Sequence, residues 1–160
     1  MGCAVNAATG REVTNQLSPA VKKKRVVVIG GGAGGMEAAR VADLRGHHVT
    51  LLEKQSRLGG SMLLASTVHS DNETFYRWQI RQMQLSGVDI RLGQEANAET
   101  LRQLRPDAIV VATGAKVETP AIPGADGDNV LSGAQLRRLV EGTATAADAP
   151  QRCNSRRDRA

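Results

Sequence analysis

The strongest constraint on the fold is a glycine-rich turn between a β-branched run and an alanine-rich segment. Gly30, Gly32 and Gly35 have the spacing G-x-G-x-x-G, after a predicted strand at Arg25–Ile29 and before a predicted helix at 33–45. In dinucleotide-binding turns the first glycine permits a tight turn, the second lets a pyrophosphate approach the backbone, and the third lets the helix pack closely on the sheet. The pyrophosphate is then expected at the helix N-terminus, which attracts anions.

An acidic residue follows the second predicted strand, at 48–52. Glu53 lies 23 residues after Gly30 (53 minus 30), close to the spacing expected for a ribose-binding acid. A carboxylate there accepts hydrogen bonds from the ribose hydroxyls of an adenosine and repels a 2′-phosphate, which disfavours NADP. Residues beside the turn and the acid are expected to line the same site: Ala33, Gly34 and Lys54. The unit is predicted to hold the ADP half of FAD, with ADP or NAD as alternatives; a glycine-rich turn without a ligand also stays open.

Strands and helices alternate along the rest of the chain. We predict a helix at 72–86, a strand at 88–92, a short helix at 97–104 and a buried strand at 107–112. A capping-box pattern from Ser132 to Gln135 predicts one more helix. This order predicts an α/β fold, a Rossmann-like parallel sheet flanked by helices, which is incomplete. The expected organisation is a lead-in arm at 1–24, the Rossmann-like domain at 25–141 and a disordered basic tail at 142–160. The aromatic residues Phe75, Tyr76 and Trp78 are expected to pack from their helix into the hydrophobic core.

The basic character of the chain lies at its ends. The net charge is +5, but residues 26–141 carry twelve basic and thirteen acidic side chains. The charge therefore does not indicate a nucleic-acid or membrane partner. The two cysteines, Cys3 and Cys153, form no Cys-x-x-Cys pair, and no apolar run approaches the roughly 20 residues that cross a bilayer. We expect a cytoplasmic protein with reduced thiols.

Two further motifs distinguish between dinucleotides. The run Arg57, Leu58, Gly59 and Gly60 follows Glu53, and Ala112, Thr113 and Gly114 end the last predicted strand. In this order the chain resembles the two-dinucleotide-binding-domain flavoproteins, whose FAD domains carry R-x-G-G after the ribose acid and an A-T-G turn further on. The resemblance implies that Arg57 and the Gly59 and Gly60 backbone lie near the FAD phosphates. It also implies that the turn at 112–114 passes close to the cofactor, so FAD is favoured over NAD.

Longer segments narrow the resemblance. The stretches CAVNAATGRE, KKKRVVVIGGGAGGMEAARVADLRGH and DAIVVATGAKVETPAIPGADGDNVLSG are similar to the 2,4-dienoyl-CoA reductase, 2-enoate reductase and trimethylamine dehydrogenase family of NADH:flavin oxidoreductases. Members of that family join an FMN-binding TIM barrel, a [4Fe–4S] cluster and an FAD/NAD(P)H module. Cys3 matches the last cluster ligand, but a cluster needs four ligands. We therefore expect Cys3 to be a vestigial ligand position and predict no metal site. FMN and the cluster are expected only in full-length relatives.

These observations predict the FAD-binding portion of a flavin-dependent oxidoreductase that passes electrons between NAD(P)H and flavin, as a fragment of a larger dienoyl or enoate reductase-like enzyme. A separate barrel and iron–sulfur chain is a candidate partner. No residue is assigned as a catalytic acid, base or nucleophile, and it stays open whether the isolated chain is active. The alternatives are a non-catalytic nucleotide-binding module or inactive remnant, and an NAD-binding Rossmann domain.

Overall fold

Four parallel strands form one sheet in the order β3-β2-β1-β4. The computed structural model describes residues 3, 6, 8–115, 118 and 121–125. Its elements, in chain order, are β1 (Arg25–Ile29), α1 (Ala33–Leu44), β2 (His48–Glu53), α2 (Ser61–Val68), α3 (Ser70–Leu85), β3 (Asp89–Leu92), α4 (Ala98–Leu104) and β4 (Ala108–Val111). The predicted Rossmann-like α/β fold is confirmed.

The strand order reverses next to β1. The chain proceeds from β1 to β2 to β3 on one side, and then returns to place β4 on the other side of β1. Val28 is paired with Leu51 of β2 and with Val110 of β4, so β1 is central. In open parallel sheets ligands bind at the carboxyl ends of the strands where the order reverses. The fold therefore places a crevice at the end of β1, where the glycine-rich turn begins.

The core lies between the sheet and helices α1 and α3. Val28 and Leu51 are fully buried on this face of the sheet, and Met36 and Ala39 of α1 pack against it. The small side chain of Ala39 lets α1 approach the strands closely. From α3, the buried side chain of Met83 packs into the same core. Removing a large buried side chain such as Leu51 or Met36 costs about 2–5 kcal/mol, so this layer holds α1 against the sheet.

Two features of this fold differ from the expectations. Helix α2 was not predicted, because its eight residues show no helical spacing of apolar positions and bury only Leu63. The expectation that the last strand is buried is wrong. Ile109 and Val111, on the face opposite α1, are 45% and 70% exposed. The physical reason is that β4 has a neighbouring strand on one side only among the described residues. An unbroken apolar run is buried only where neighbours cover it.

The aromatic residues are also distributed differently from the expectation. Trp78 is exposed, stacks on Phe75 and lies under the guanidinium of Arg40, so it is not part of the core. Within the described part of the chain, no helix is both long and apolar enough to cross a membrane.

The chain divides into two compact units, Met1–Ala115 and Lys116–Ala160. All the elements above belong to the first. Residues 8–24 contain turns and extended chain without a helix or strand. The helix predicted from Ser132 and the tail predicted at 142–160 lie outside the described residues.

Candidate functional site

Two of the three motif glycines are required by the packing of the turn itself. Gly30 has φ +105°, a backbone conformation that other residues rarely adopt, and a Cβ there would collide with the carbonyl oxygen of Ala112. A Cβ at Gly35 would overlap the carbonyl oxygen of Gly30. These glycines therefore let β1, α1 and the segment after β4 meet closely.

Gly32 is different, because neither its backbone nor the packing of the described residues requires a glycine. Its backbone is ordinary, with φ −74° and ψ −179°, and, apart from its chain neighbours and its own helix backbone, no atom of the described residues lies within 4 Å of the position that a Cβ would occupy. It is the N-cap of α1, and no side chain in the described part of the chain caps that helix end. The first N–H groups of a helix lack partners within the helix and carry the positive end of its dipole. Gly32 thus leaves open space in front of an uncapped helix N-terminus.

Glu53 is held in place by backbone N–H groups. Its side chain is buried at 8% exposure. One carboxylate oxygen accepts a hydrogen bond of 2.5 Å from the N–H of Gly31, and the other accepts one of 2.8 Å from the N–H of Gln55. Each oxygen has a second lone pair, so the carboxylate can still accept hydrogen bonds from a ligand. Sequence reasoning did not identify Gly31 or Gln55, because backbone donors leave no side-chain signal.

The segment at 57–60, here called the second glycine segment, lies against the glycine turn at 30–35. The N–H of Gly59 donates to the carbonyl oxygen of Gly31 at 2.8 Å, and Gly32 and Gly59 form a parallel bridge. Gly60 is the N-cap of α2, with φ +53°. Leu58, within this segment, is buried in the hydrophobic core. Arg57, at the start of the segment, is half-buried. The structure therefore brings together two glycine motifs that lie over twenty residues apart in sequence.

The turn after β4 borders the same site. The N–H of Ala112 donates to the carbonyl oxygen of Ile29 at 2.8 Å, which continues the pairing of β1 with β4 and carries Thr113 to the crevice. Gly114 has φ +79° and, apart from its chain neighbours, no atom of the described residues within 4 Å of its Cβ position. A cavity of about 150 Å³ lies at the ends of β1 and β2. It is lined by Ile29, Gly30, Leu52, Glu53, Lys54, Gln94, Glu95, Ala96 and Thr113.

The loop after β3 was not predicted to take part. The N–H of Gln94 donates to the carbonyl oxygen of Glu53 at 2.9 Å, and the N–H of Gly93 donates to that of Gln55 at 2.8 Å. These bonds bring Gln94, Glu95 and Ala96 to the cavity wall. No motif marks the loop, because it is held by its backbone.

The residues present fit a dinucleotide. The site combines an uncapped helix N-terminus with open space before it, a buried carboxylate with spare acceptor capacity, and an adjacent cavity. These suit a pyrophosphate, a ribose and the remainder of an adenosine, respectively. Among the described residues, no group of three or more His, Cys, Asp or Glu side chains could hold a metal ion.

Comparison with known proteins agrees with this geometry. Residues 24–148 match the pyridine nucleotide-disulphide oxidoreductase family. A bilirubin reductase from Mediterraneibacter gnavus is 42% identical over 126 residues, which are 78% of this chain and 20% of that protein. An NADH oxidase from Thermoanaerobacter brockii is 42% identical over 132 residues, which are 81% of this chain and 20% of that protein. The solved structure of a 2-naphthoyl-CoA reductase in complex with 2-naphthoyl-CoA superposes with a TM-score of 0.78 at 37% identity, covering 89% of this chain and 22% of that one.

The chain thus spans about one fifth of the length of these relatives. The predicted resemblance to dienoyl and enoate reductase-like flavoproteins is confirmed, and so is FAD as the cofactor of this type of domain. On its fold, its glycine turn and these matches, the chain belongs to the pyridine nucleotide-disulphide oxidoreductase family, among members that resemble 2,4-dienoyl-CoA reductase.

Proposed function

We propose that residues 25–141 serve as the FAD-binding part of a flavin-dependent oxidoreductase that passes electrons between NAD(P)H and flavin within a larger dienoyl or enoate reductase-like enzyme. The observation that carries the proposal is Gly32. Neither its backbone conformation nor its packing against the part of the chain that the structure describes requires a glycine there, and the space beside it faces an uncapped helix N-terminus. A ligand that needs close approach to the backbone accounts for both facts.

Each part of the site has an assigned role in this proposal. The N–H groups at Ala33, Gly34 and Gly35 face the pyrophosphate, and the second glycine segment with Arg57 lies on its other side. Glu53 accepts hydrogen bonds from the adenosine ribose. Lys54 and the turn at Ala112, Thr113 and Gly114 border the cofactor. Bound FAD supplies the redox chemistry, and the chain binds and orients it. No proton or electron transfer is assigned to a side chain.

The direct test is calorimetric titration of the purified chain with FAD, ADP and NAD. FAD and ADP are expected to compete for one site, with NAD binding more weakly. ADP carrying a 2′-phosphate is expected to bind more weakly than ADP, because Glu53 repels it. Absence of binding of all these nucleotides at millimolar concentration would overturn the proposal. Tighter binding of NAD than of FAD would favour the NAD-binding alternative.

Catalysis by the isolated chain is a separate question, because the chain covers about one fifth of its relatives. An assay of NAD(P)H-to-dye reduction by FAD-loaded protein distinguishes an active module from a non-catalytic one. Turnover above that of free FAD would exclude an inactive remnant.

The partner that the family resemblance suggests is a barrel carrying FMN and an iron–sulfur cluster, on the same or a separate chain. Cys3 is exposed, and we assign it as the position that matches the last cluster ligand of that family. The proposed location is the cytoplasm. Purification from the native cell tests both points. Copurification with a protein that contains iron and FMN would support the partner, and recovery outside the cytoplasmic fraction would contradict the location.

A further inference from the structure

Helix α3 places a buried amide behind the glycine turn. Gln79 is 3% exposed, and its Nε2 donates a hydrogen bond of 3.0 Å to the carbonyl oxygen of Ala33, the first residue of α1. Its Oε1 is buried and finds no hydrogen-bond partner among the described residues. A methionine has a similar size and shape and would leave no unpaired oxygen. Packing alone therefore does not explain the amide, whereas its bond to the first turn of α1 does.

One turn earlier on the same face of α3, Tyr76 contacts the second glycine segment. Its hydroxyl donates to the carbonyl oxygen of Leu58 at 3.3 Å. Its ring lies so close to Gly59 that a Cβ there would be 2.6 Å from Cε2. Residues three apart on a helix share a face. A single helix face thus contacts both glycine segments.

These contacts join α3, the first turn of α1 and the second glycine segment in a closed ring. Gln79 bonds to the first turn of α1, and Tyr76 bonds to the second glycine segment. The two segments bond to each other between Gly31 and Gly59. Neither Tyr76 nor Gln79 is among the residues that line the cavity.

We propose that Gln79 and Tyr76 are positioning residues that fix the spacing of the two glycine segments, so that the N–H groups facing the pyrophosphate are ordered before the cofactor arrives. The inference rests on the proposed function for the identity of the ligand. Its physical basis is preorganisation: a site that is already ordered loses less conformational entropy on binding, and its affinity is higher.

The test is Gln79→Met, with Gln84→Met as the matched control, since Gln84 is an exposed residue of the same helix. The dissociation constant for FAD is expected to rise about threefold to tenfold in Gln79→Met, the loss of one ordinary hydrogen bond. The melting temperature is expected to stay level or rise, because the unpaired oxygen is removed. The control is expected to bind FAD like the unaltered protein. A role in stability alone predicts the opposite, a lower melting temperature with unchanged affinity for the folded protein, and would overturn the proposal.

Amide hydrogen exchange on the ligand-free protein provides a readout that needs no cofactor. Gln79→Met is expected to speed exchange at Gly31 and Met36, whose N–H groups are hydrogen-bonded, and Tyr76→Phe, which keeps the ring, is expected to speed it at Gly59. Strands β1 and β2 serve as the internal reference. Unchanged exchange at both segments refutes the positioning role, even if Gln79→Met folds poorly and only Tyr76→Phe can be measured. If the unaltered protein fails to bind FAD while these segments respond as expected, the proposed function fails and the positioning role stands.

Discussion

Substitution of the three motif glycines by alanine should separate ligand binding from folding. At Gly32 a methyl group meets no atom of the described residues within 4 Å, apart from its chain neighbours and its own helix backbone, and φ is −74°. The free energy of unfolding should therefore fall by no more than about 1 kcal/mol, since alanine is less favourable than glycine at the N-cap of a helix while the unfolded chain loses freedom. At Gly35 the same methyl overlaps the carbonyl oxygen of Gly30. Such overpacking should destabilise the protein by about 1–3 kcal/mol or more.

The affinity for FAD should show the opposite order: it should fall most in Gly32→Ala, the variant whose stability changes least. A methyl at Gly32 projects into the space assigned to the pyrophosphate and holds it away from the N–H groups of α1. A hydrogen bond to a charged group contributes about 1.5–3 kcal/mol. Losing one of them weakens FAD binding by about tenfold to a hundredfold.

Gly34→Ala is the matched control. Gly34 lies on the same turn, is exposed, and also has no atom of the described residues within 4 Å of its Cβ position, apart from its chain neighbours and its own helix backbone. Its N–H survives the substitution, so the affinity for FAD should fall less than in Gly32→Ala, while the helix gains about 1 kcal/mol. The assay pairs urea unfolding with calorimetric titration of FAD for each variant. If Gly32→Ala is stable and binds FAD as tightly as the unaltered protein, the reasoning about Gly32 is wrong.

Three further predictions concern other parts of the site and the sheet. Glu53→Gln should lower stability by about 1–3 kcal/mol, because an amide nitrogen replaces one of the two acceptors for backbone N–H groups. The same variant should reduce the preference for ADP over ADP with a 2′-phosphate, measured by competition; an unchanged preference would exclude Glu53 as its source. Gly30→Ala should be destabilised like Gly35→Ala, because its φ is +105°, and an unfolding midpoint equal to that of the unaltered protein would contradict this. The N–H of Arg25 donates to Asp107 and lowers the pKa of that carboxyl below its usual 3.8, with the charges of Arg25, Lys22 and Lys24 adding to the effect. Ionised Asp107 therefore stabilises the fold above the usual pKa of an aspartate, and this stabilisation is lost as the pH falls through the lowered pKa of the folded state. The acid unfolding of Asp107→Asn should accordingly depend less on pH than that of the unaltered protein.

The position of the glycine turn between β1 and α1 and that of Glu53 at the end of β2 could be predicted from local spacing, while their role in cofactor binding stays a prediction. A tight turn, a close approach and a carboxylate at the end of the second strand each demand a particular residue type. The loop at Gln94 could not be predicted, since it reaches the cavity through backbone hydrogen bonds that any residue can make. Gln79 gave no signal either, because a lone amide on a helix is common and its bond to Ala33 depends on how the helices pack.

The burial of the last strand also could not be predicted from its sequence. Its apolar sequence predicts burial, but burial depends on what lies beside it. Ile109 and Val111 are exposed because β4 has one neighbouring strand among the described residues. A pattern within one segment therefore predicts the strand and cannot predict its surroundings.

The central claim is that the glycine turn and Glu53 hold the ADP half of FAD. The most direct measurement is an NMR titration of the labelled chain with ADP, followed through its backbone amide signals. Saturable shifts are expected at residues 31–35, 53–55 and 94–96, with the signals of α4 unchanged. Saturable shifts elsewhere, with these three segments unaffected, would contradict it.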